Sequence, residues 1–207
     1  MRTAPVLRGG LPVRLVWLVA GLFLFAVGIV CFLESRLGLP PWDVLHQGIA
    51  KRTPISFGIA NVLVGALVLA LAWSLGARIG LGTVANAILI GLFVVVLQPL
   101  HAVQELSEWP RAARLGLLGA GLVAFGIGSA LYIGAALGAG PRDSLMLVGS
   151  RRLRLRIGAV RALIEISVLV AGFLLGGTVG LGTVVFAALI GPAVEVSFWV
   201  LSRTPLT

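Results

Sequence analysis

Between Glu165 and Glu195 the chain runs for 29 residues without a charge. A membrane-spanning helix takes about 20 residues. The run is therefore too long for one span and too short for two spans that are apolar throughout. Further apolar segments fall at 15–33, 55–75, 79–100 and 115–137. Of all residues 59% are hydrophobic and 11% are charged, and the mean hydropathy is +1.10. That balance excludes a disordered chain and a water-soluble globule, and it makes a bilayer the solvent. Six spans would use about 120 residues. The remainder is enough for short loops and leaves no room for a soluble domain.

Sliding the chain 100 residues along itself locates the missing break. Arg14-Leu15, Ala20-Gly21-Leu22, Phe25 and Gly28 recur at Arg114-Leu115, Ala120-Gly121-Leu122, Phe125 and Gly128. Leu37-Gly38, Pro41, Asp43 and Leu45 recur at Leu137-Gly138, Pro141, Asp143 and Leu145. Gly80-Leu81-Gly82-Thr83-Val84 recurs as residues 180–184. Roughly 31 of the 85 positions in 14–98 match 114–198 without a gap, against about one in ten from composition. The duplication puts the break at residues 176–180 and the last two spans at 157–177 and 179–201. The expected organisation is a tail over 1–13, repeat A over 14–98, a linker over 99–113, repeat B over 114–198 and a tail over 199–207. Together these form one membrane domain.

Three spans per repeat is an odd number, so the second repeat enters the bilayer from the opposite side. The fold class expected is an all-α membrane protein of about six spans in two inverted three-helix repeats. With the N-terminus inside, the inner segments carry ten Lys and Arg residues, Arg142 and Arg151 among them. The outer segments carry five, including Arg36, Lys51 and Arg114. This bias places both termini in the cytoplasm of a bacterial plasma membrane. It also accounts for the net charge of +9 without nucleic acid as a partner. The apolar run after Arg14 is longer than a signal h-region and lacks an A-x-A-like site, so it reads as a retained span.

The segment Gly38-Leu39-Pro40-Pro41-Trp42-Asp43-Val44-Leu45, with Gly58-Ile59-Ala60-Asn61 and Gly80-Leu81-Gly82-Thr83, resembles the YczE/YitT type of bacterial integral membrane protein. The resemblance covers nearly the whole chain. It implies a multipass plasma-membrane protein and carries over neither a substrate nor a catalytic residue. Gly191-Pro192-Ala193-Val194-Glu195 also fits the family's acidic residue after Gly-Pro, whereas Gly91-Leu92-Phe93-Val94-Val95 departs from it.

Enzyme signatures are absent: there is no G-x-G-x-x-G, P-loop, H-E-x-x-H or G-x-S-x-G. Ser144 has no base beside it. Cys31 is the single cysteine, which leaves no disulfide or thiolate metal cluster, and no motif asks for a cofactor. His46 and His101 read as solvated loop residues. Pro41 and Pro141 suit the first turn of short helices, the first over about 41–52, where a missing N–H costs nothing. Asp43 and Asp143 then fall where the helix dipole favours them. The bland reading is an interfacial helix capped by its own Asp. The alternative is a re-entrant half-helix aiming its N-terminus at a substrate, and the arginines at 151–156 weigh against it in the second copy. Gly134-xxx-Gly138 and Gly172-xxx-Gly176 read as close-packing helix faces, within the chain or between copies.

Charges at membrane depth are functional candidates by default. Rise per residue places Arg161 about 6 Å, Glu165 about 12 Å and Asn86 about 5 Å from the inner face. Glu195 comes out at about 12 Å. The four are expected to form one polar cluster, with Arg161 and Glu165 on one helix face. The function expected is a small transporter or channel for a small solute or ion, with proton coupling through Glu165 or Glu195. The alternative left open is a non-transporting partner or regulator of another membrane complex.

Overall fold

The computed structural model describes residues 6–98, 109–155 and 157–206. Within them lie eight helices: α1 (Leu11–Ser35), α2 (Pro41–Arg52), α3 (Phe57–Ser74), α4 (Leu81–Leu97), α5 (Arg111–Gly134), α6 (Pro141–Leu153), α7 (Ile157–Leu174) and α8 (Leu181–Leu201). Six of them coincide with the six apolar segments. Helices α1, α3, α5 and α8 are long and apolar enough to cross a membrane, and α4 is a shorter apolar helix of 17 residues. The outer faces of α3, α4, α7 and α8 carry exposed Leu67, Val96, Leu174 and Val196, which suits lipid and not water. His101, Arg2, Arg156 and most of the 99–113 linker lie outside the described residues.

Helices α1 and α5 form the centre and run antiparallel. Gly21 lies against the backbone at Gly128 and Tyr132, and Gly28 against Gly121 and Phe125. Lipid supplies no hydrophobic drive between helices, so glycines that let backbones approach closely are what bring them together. Rings of Phe25, Phe32, Phe125 and Phe186 then interlock edge to face, with centroids 4.6–5.7 Å apart.

Each repeat closes the helix ends of the other. Arg14 Nε and Nη2 donate to the carbonyls of Ala135 and Ala136, both at 2.7 Å. Arg114 Nε and Nη2 donate to Ser35 and Arg36, at 2.8 and 3.1 Å. A helix end has four carbonyls without intrahelical partners, and inside a bilayer these need a donor from the protein. The same exchange occurs at the loops. Gly82 N–H donates to Leu137 O at 2.8 Å, and Gly182 N–H to Leu37 O at 2.7 Å. Gly38 and Gly138 have φ of +116° and +130°. A Cβ at Gly38 would come within 2.6 Å of Gly180 N, and one at Gly138 within 2.7 Å of Thr83 Oγ1. Both positions therefore require glycine.

The two halves differ in their last helix pair. In the first, α3 and α4 pack closely, with Gly58 against Gly91 and Gly65 against Ala87. In the second, α7 and α8 make no extended contact. Gly191, the equivalent of Gly91, has open space around its Cβ position. The other contacts are shared by the halves: α7 packs on α2, where Gly172 and Gly177 meet the backbone at Val44 and Leu45, as α3 packs on α6, and α8 packs on α5 as α4 packs on α1.

The chain ends also meet. Leu7 is buried with Leu131 and Leu201, its N–H donates to Gly134 O, and Arg8 N–H donates to Leu206 O. The described parts of both tails thus share the end of the bundle where α5 terminates.

Candidate polar site between two short helices

Pro41 and Pro141 occupy the first turns of α2 and α6, as the sequence predicts. The segments that follow begin inside the protein and end at its surface. The first two turns of α2 are buried in the protein, and its basic end, Lys51 and Arg52, is exposed. In α6 the start is largely enclosed, while Arg151, Arg152 and Arg154 are exposed at its far end. The arginines thus stay at a surface while the N-terminus points inward, which removes the objection to a half-helix in the second copy. Basic residues at the C-terminus also suit the helix dipole.

The two helices meet through side chains of their first turns. The Arg142 guanidinium carbon lies 4.7 Å from the centroid of the Trp42 ring. Beside them is a small enclosed cavity lined by Trp42, Asn61, Asn86, Pro141 and Arg142, with Gly65 and Val68 on the α3 wall. Its volume is about 20 Å³, on a scale where one water needs roughly 10–15 Å³. Arg142, expected among the charges of the inner loop, is instead half-buried in the wall of this cavity. The larger hollow, about 550 Å³ between α5 and α8 around Pro192 and Leu131, is apolar and opens on the lipid-facing side.

Neither aspartate caps its own helix: no side-chain cap bond closes α2 or α6. Asp43 Oδ1 lies 3.2 Å from His46 Nδ1, and Asn61 Nδ2 approaches the same nitrogen at 3.2 Å. Asp43, His46 and Asn61 are all buried, His46 completely. The expectation of a solvated His46 is therefore overturned. The histidine sits on the inner face of α2, one turn after Asp43 and edge-on to Phe57 at 5.7 Å. Its Nε2 is buried without a hydrogen-bond partner. Asp143 Oδ2 accepts a 2.8 Å bond from the buried Tyr132 hydroxyl.

The expected cluster of four separates into three parts. Arg161 Nε donates to Glu165 Oε1 at 2.8 Å on one face of α7, and both side chains are partly open, at 50% and 30% exposure. Asn86 faces the cavity with Arg142. Glu195 is exposed on α8 and joins neither, because α7 and α8 do not pack together. Counting residues along a helix fixes depth and says nothing of lateral position. Among the described residues no three His, Cys, Asp or Glu side chains are grouped as metal ligands.

Two of the glycine motifs also read differently. Gly138 and Gly176 are turn residues with positive φ, so neither pair forms a continuous helix face. Gly172 does make the expected close helix contact, against α2.

Sequence reasoning missed His46, Asn61, Tyr132 and Arg142 as site residues. The duplication held the signal for one of them. Arg142 stands 100 residues after Trp42, at the matching position of the duplicated sequence, and the two side chains touch.

The chain belongs to a family of unknown function, DUF6198, whose pattern matches residues 12–198. It is 40% identical over 188 residues to an uncharacterised protein of Haemophilus influenzae, covering 91% of this chain and 84% of that one. It is 33% identical over 175 residues to the uncharacterised membrane protein YczE of Bacillus subtilis, covering 83% and 79%. A third relative, YyaS of Bacillus subtilis, is 27% identical over 188 residues, covering 88% and 91%. The resemblance to the YczE type therefore holds. No solved structure matches the chain.

Proposed function

We propose that this chain is a six-span protein of the bacterial plasma membrane, built of two inverted three-span repeats with both termini cytoplasmic, and that it moves a small solute or ion through the site at Trp42 and Arg142. The observation that carries this reading is the contact of first-turn side chains of the two short helices, Trp42 and Arg142, beside a polar cavity inside an apolar bundle. Transporters built of inverted repeats bind their substrates where broken helices end at mid-membrane, because a helix N-terminus offers unpaired N–H groups and partial positive charge. Polar groups at that depth are expensive, and a structural role alone would be served more cheaply by apolar packing.

The unlike helix pairs add support. Repeat A holds α3 against α4, while repeat B leaves α7 away from α8. Two related repeats that differ in this one helix pair suit alternating access, in which the repeats exchange conformations around a fixed site. The closed cavity then represents one stage of the cycle.

The test is solute-driven swelling of proteoliposomes, read by light scattering after osmotic upshift with glycerol, urea, tetramethylammonium gluconate or potassium nitrate with valinomycin. At least one solute should enter faster than into protein-free vesicles, and Arg142→Gln should slow that entry at least tenfold. If no solute class enters faster than the lipid control, the transport reading falls and a partner or regulator role takes its place.

A further inference from the structure

We propose that the central cavity takes a small monovalent anion on Arg142, and that the anion enters together with a proton held at the Asp43–His46 pair. This rests on the transport reading and names the substrate class of the same site.

The cavity is rich in donors that the protein does not use. Arg142 has five N–H groups. Among the described residues it makes no hydrogen bond and no ion pair within 4 Å, and its guanidinium lies over the face of Trp42. The Asn86 carboxamide likewise has no hydrogen-bond partner and lines the same space. The first turns of α2 and α6 bring the positive ends of two helices to this point. The carboxylates nearby are each engaged elsewhere: Asp43 with His46, Asp143 with the Tyr132 hydroxyl and Glu165 with Arg161. Unspent donors around a space of one or two waters call for a small acceptor. The cavity size favours an ion such as chloride, bromide or nitrate over a larger carboxylate.

Charge counting supplies the proton. Arg161 and Glu165 cancel. Arg142 against Asp43 and Asp143 leaves one negative charge, and an added anion would make two in a low-dielectric interior. One proton restores the original balance. The buried base is His46. When its Nδ1–H donates to Asp43, the Asn61 carboxamide turns its oxygen rather than its NH2 toward that nitrogen, the Nε2 lone pair is free, and Nε2 is the atom without a partner. Protonation forms the Nε2–H bond and leaves an imidazolium beside the Asp43 carboxylate. The charged groups facing His46 are Asp43 on its own helix and Arg142 on α6. Helix α3 presents Asn61 and Phe57 to it, and α7 meets α2 through the backbone at Gly172 and Gly177. Asn61 joins the two parts, since it touches His46 and lines the cavity.

Purified protein would be reconstituted with the pH dye pyranine inside, in potassium gluconate, and then diluted into potassium chloride, bromide or nitrate. At least one of these anions should acidify the lumen without valinomycin, and external gluconate should not. His46→Gln should abolish the acidification. Binding is read separately in detergent. Replacing gluconate by the active anion should raise the melting temperature of wild type and of His46→Gln, but not of Arg142→Gln. Asn86→Ala, which leaves the Trp42 contact intact, should reduce the shift and guards against misfolding of the arginine variant. Anion entry that needs valinomycin and leaves luminal pH unchanged overturns the proton half. Melting temperatures indifferent to all three anions overturn the anion half. If glycerol, urea or tetramethylammonium nevertheless enters, the transport reading survives without this inference. If an anion raises the melting temperature but no solute crosses, the anion site stands, and both the transport reading and the proton half fall.

Discussion

Arg142 lies over the ring of Trp42, and the two hold the same position in their repeats, one hundred residues apart. The contact joins the first turns of α2 and α6. A cation on an indole face contributes about 0.5–2 kcal/mol, the larger figure when water is excluded. Its importance here is positional, because it fixes where the two halves touch. Trp42→Leu should remove the ring and leave the guanidinium unsupported. Stability should fall by about 1–3 kcal/mol, measured by unfolding in mixed micelles. Trp42→Phe, which keeps a weaker aromatic face, should fall between the two. If Leu matches wild type, the contact is incidental.

The crossed arginine caps make a second expectation. Arg14 and Arg114 each supply two hydrogen bonds to the end of the other repeat's first helix. A bond to a charged group contributes about 1.5–3 kcal/mol where the acceptor has no substitute. Each Arg→Gln change should cost about 2 kcal/mol. The two sites lie at opposite ends of an antiparallel pair, so the double change should cost the sum. A double variant no worse than either single would mean that lipid headgroups satisfy those carbonyls.

The glycines separate packing from propensity. A Cβ at Gly21 would lie 2.7 Å from Tyr132 N and 2.8 Å from Gly128 O, both backbone atoms that have little room to yield. At Gly119 it would meet nothing within 4 Å. Gly21→Ala should therefore destabilise by about 1–3 kcal/mol through forced separation of α1 and α5. Gly119→Ala should be neutral or stabilise by up to about 1 kcal/mol, since alanine is the better helix former. Equal effects at the two positions would contradict the antiparallel α1–α5 contact.

These contrasts show what the sequence could carry. Helix limits were legible because apolar runs end at Gly and Pro: Pro41 opens α2, and Gly80 and Gly180 precede α4 and α8. Residue pairings were legible only where the duplication supplied them. His46 looked solvated because only Asp43 among its partners is on its own helix, while Asn61 and Phe57 lie on the next one. Glu195 looked central because depth was inferred and lateral place was not. Arg142 looked peripheral because a basic residue between apolar segments ordinarily marks a loop.

The last expectation concerns sidedness. The antiparallel α1–α5 pair sends the loop after α1 and the loop after α5 to opposite ends of the bundle, while Arg8 and Leu206 bond at one end. In a Cys31→Ser background, single cysteines would replace Arg36, which follows α1, and Arg151, which is exposed near the end of α6. A membrane-impermeant maleimide applied to intact cells should label position 36 only. Inverted membrane vesicles should label position 151 only. A cysteine replacing Arg8 should follow position 151, since the ten-to-five basic bias puts that end inside and survives the loss of Arg142 from the count as nine to five. Labelling of 36 and 151 from the same side would end the inverted arrangement, and with it the two-sided approach of α2 and α6 to the cavity. Labelling of 8 and 36 from the same side would mean that α1 does not cross the bilayer, despite its 25 residues and apolar composition.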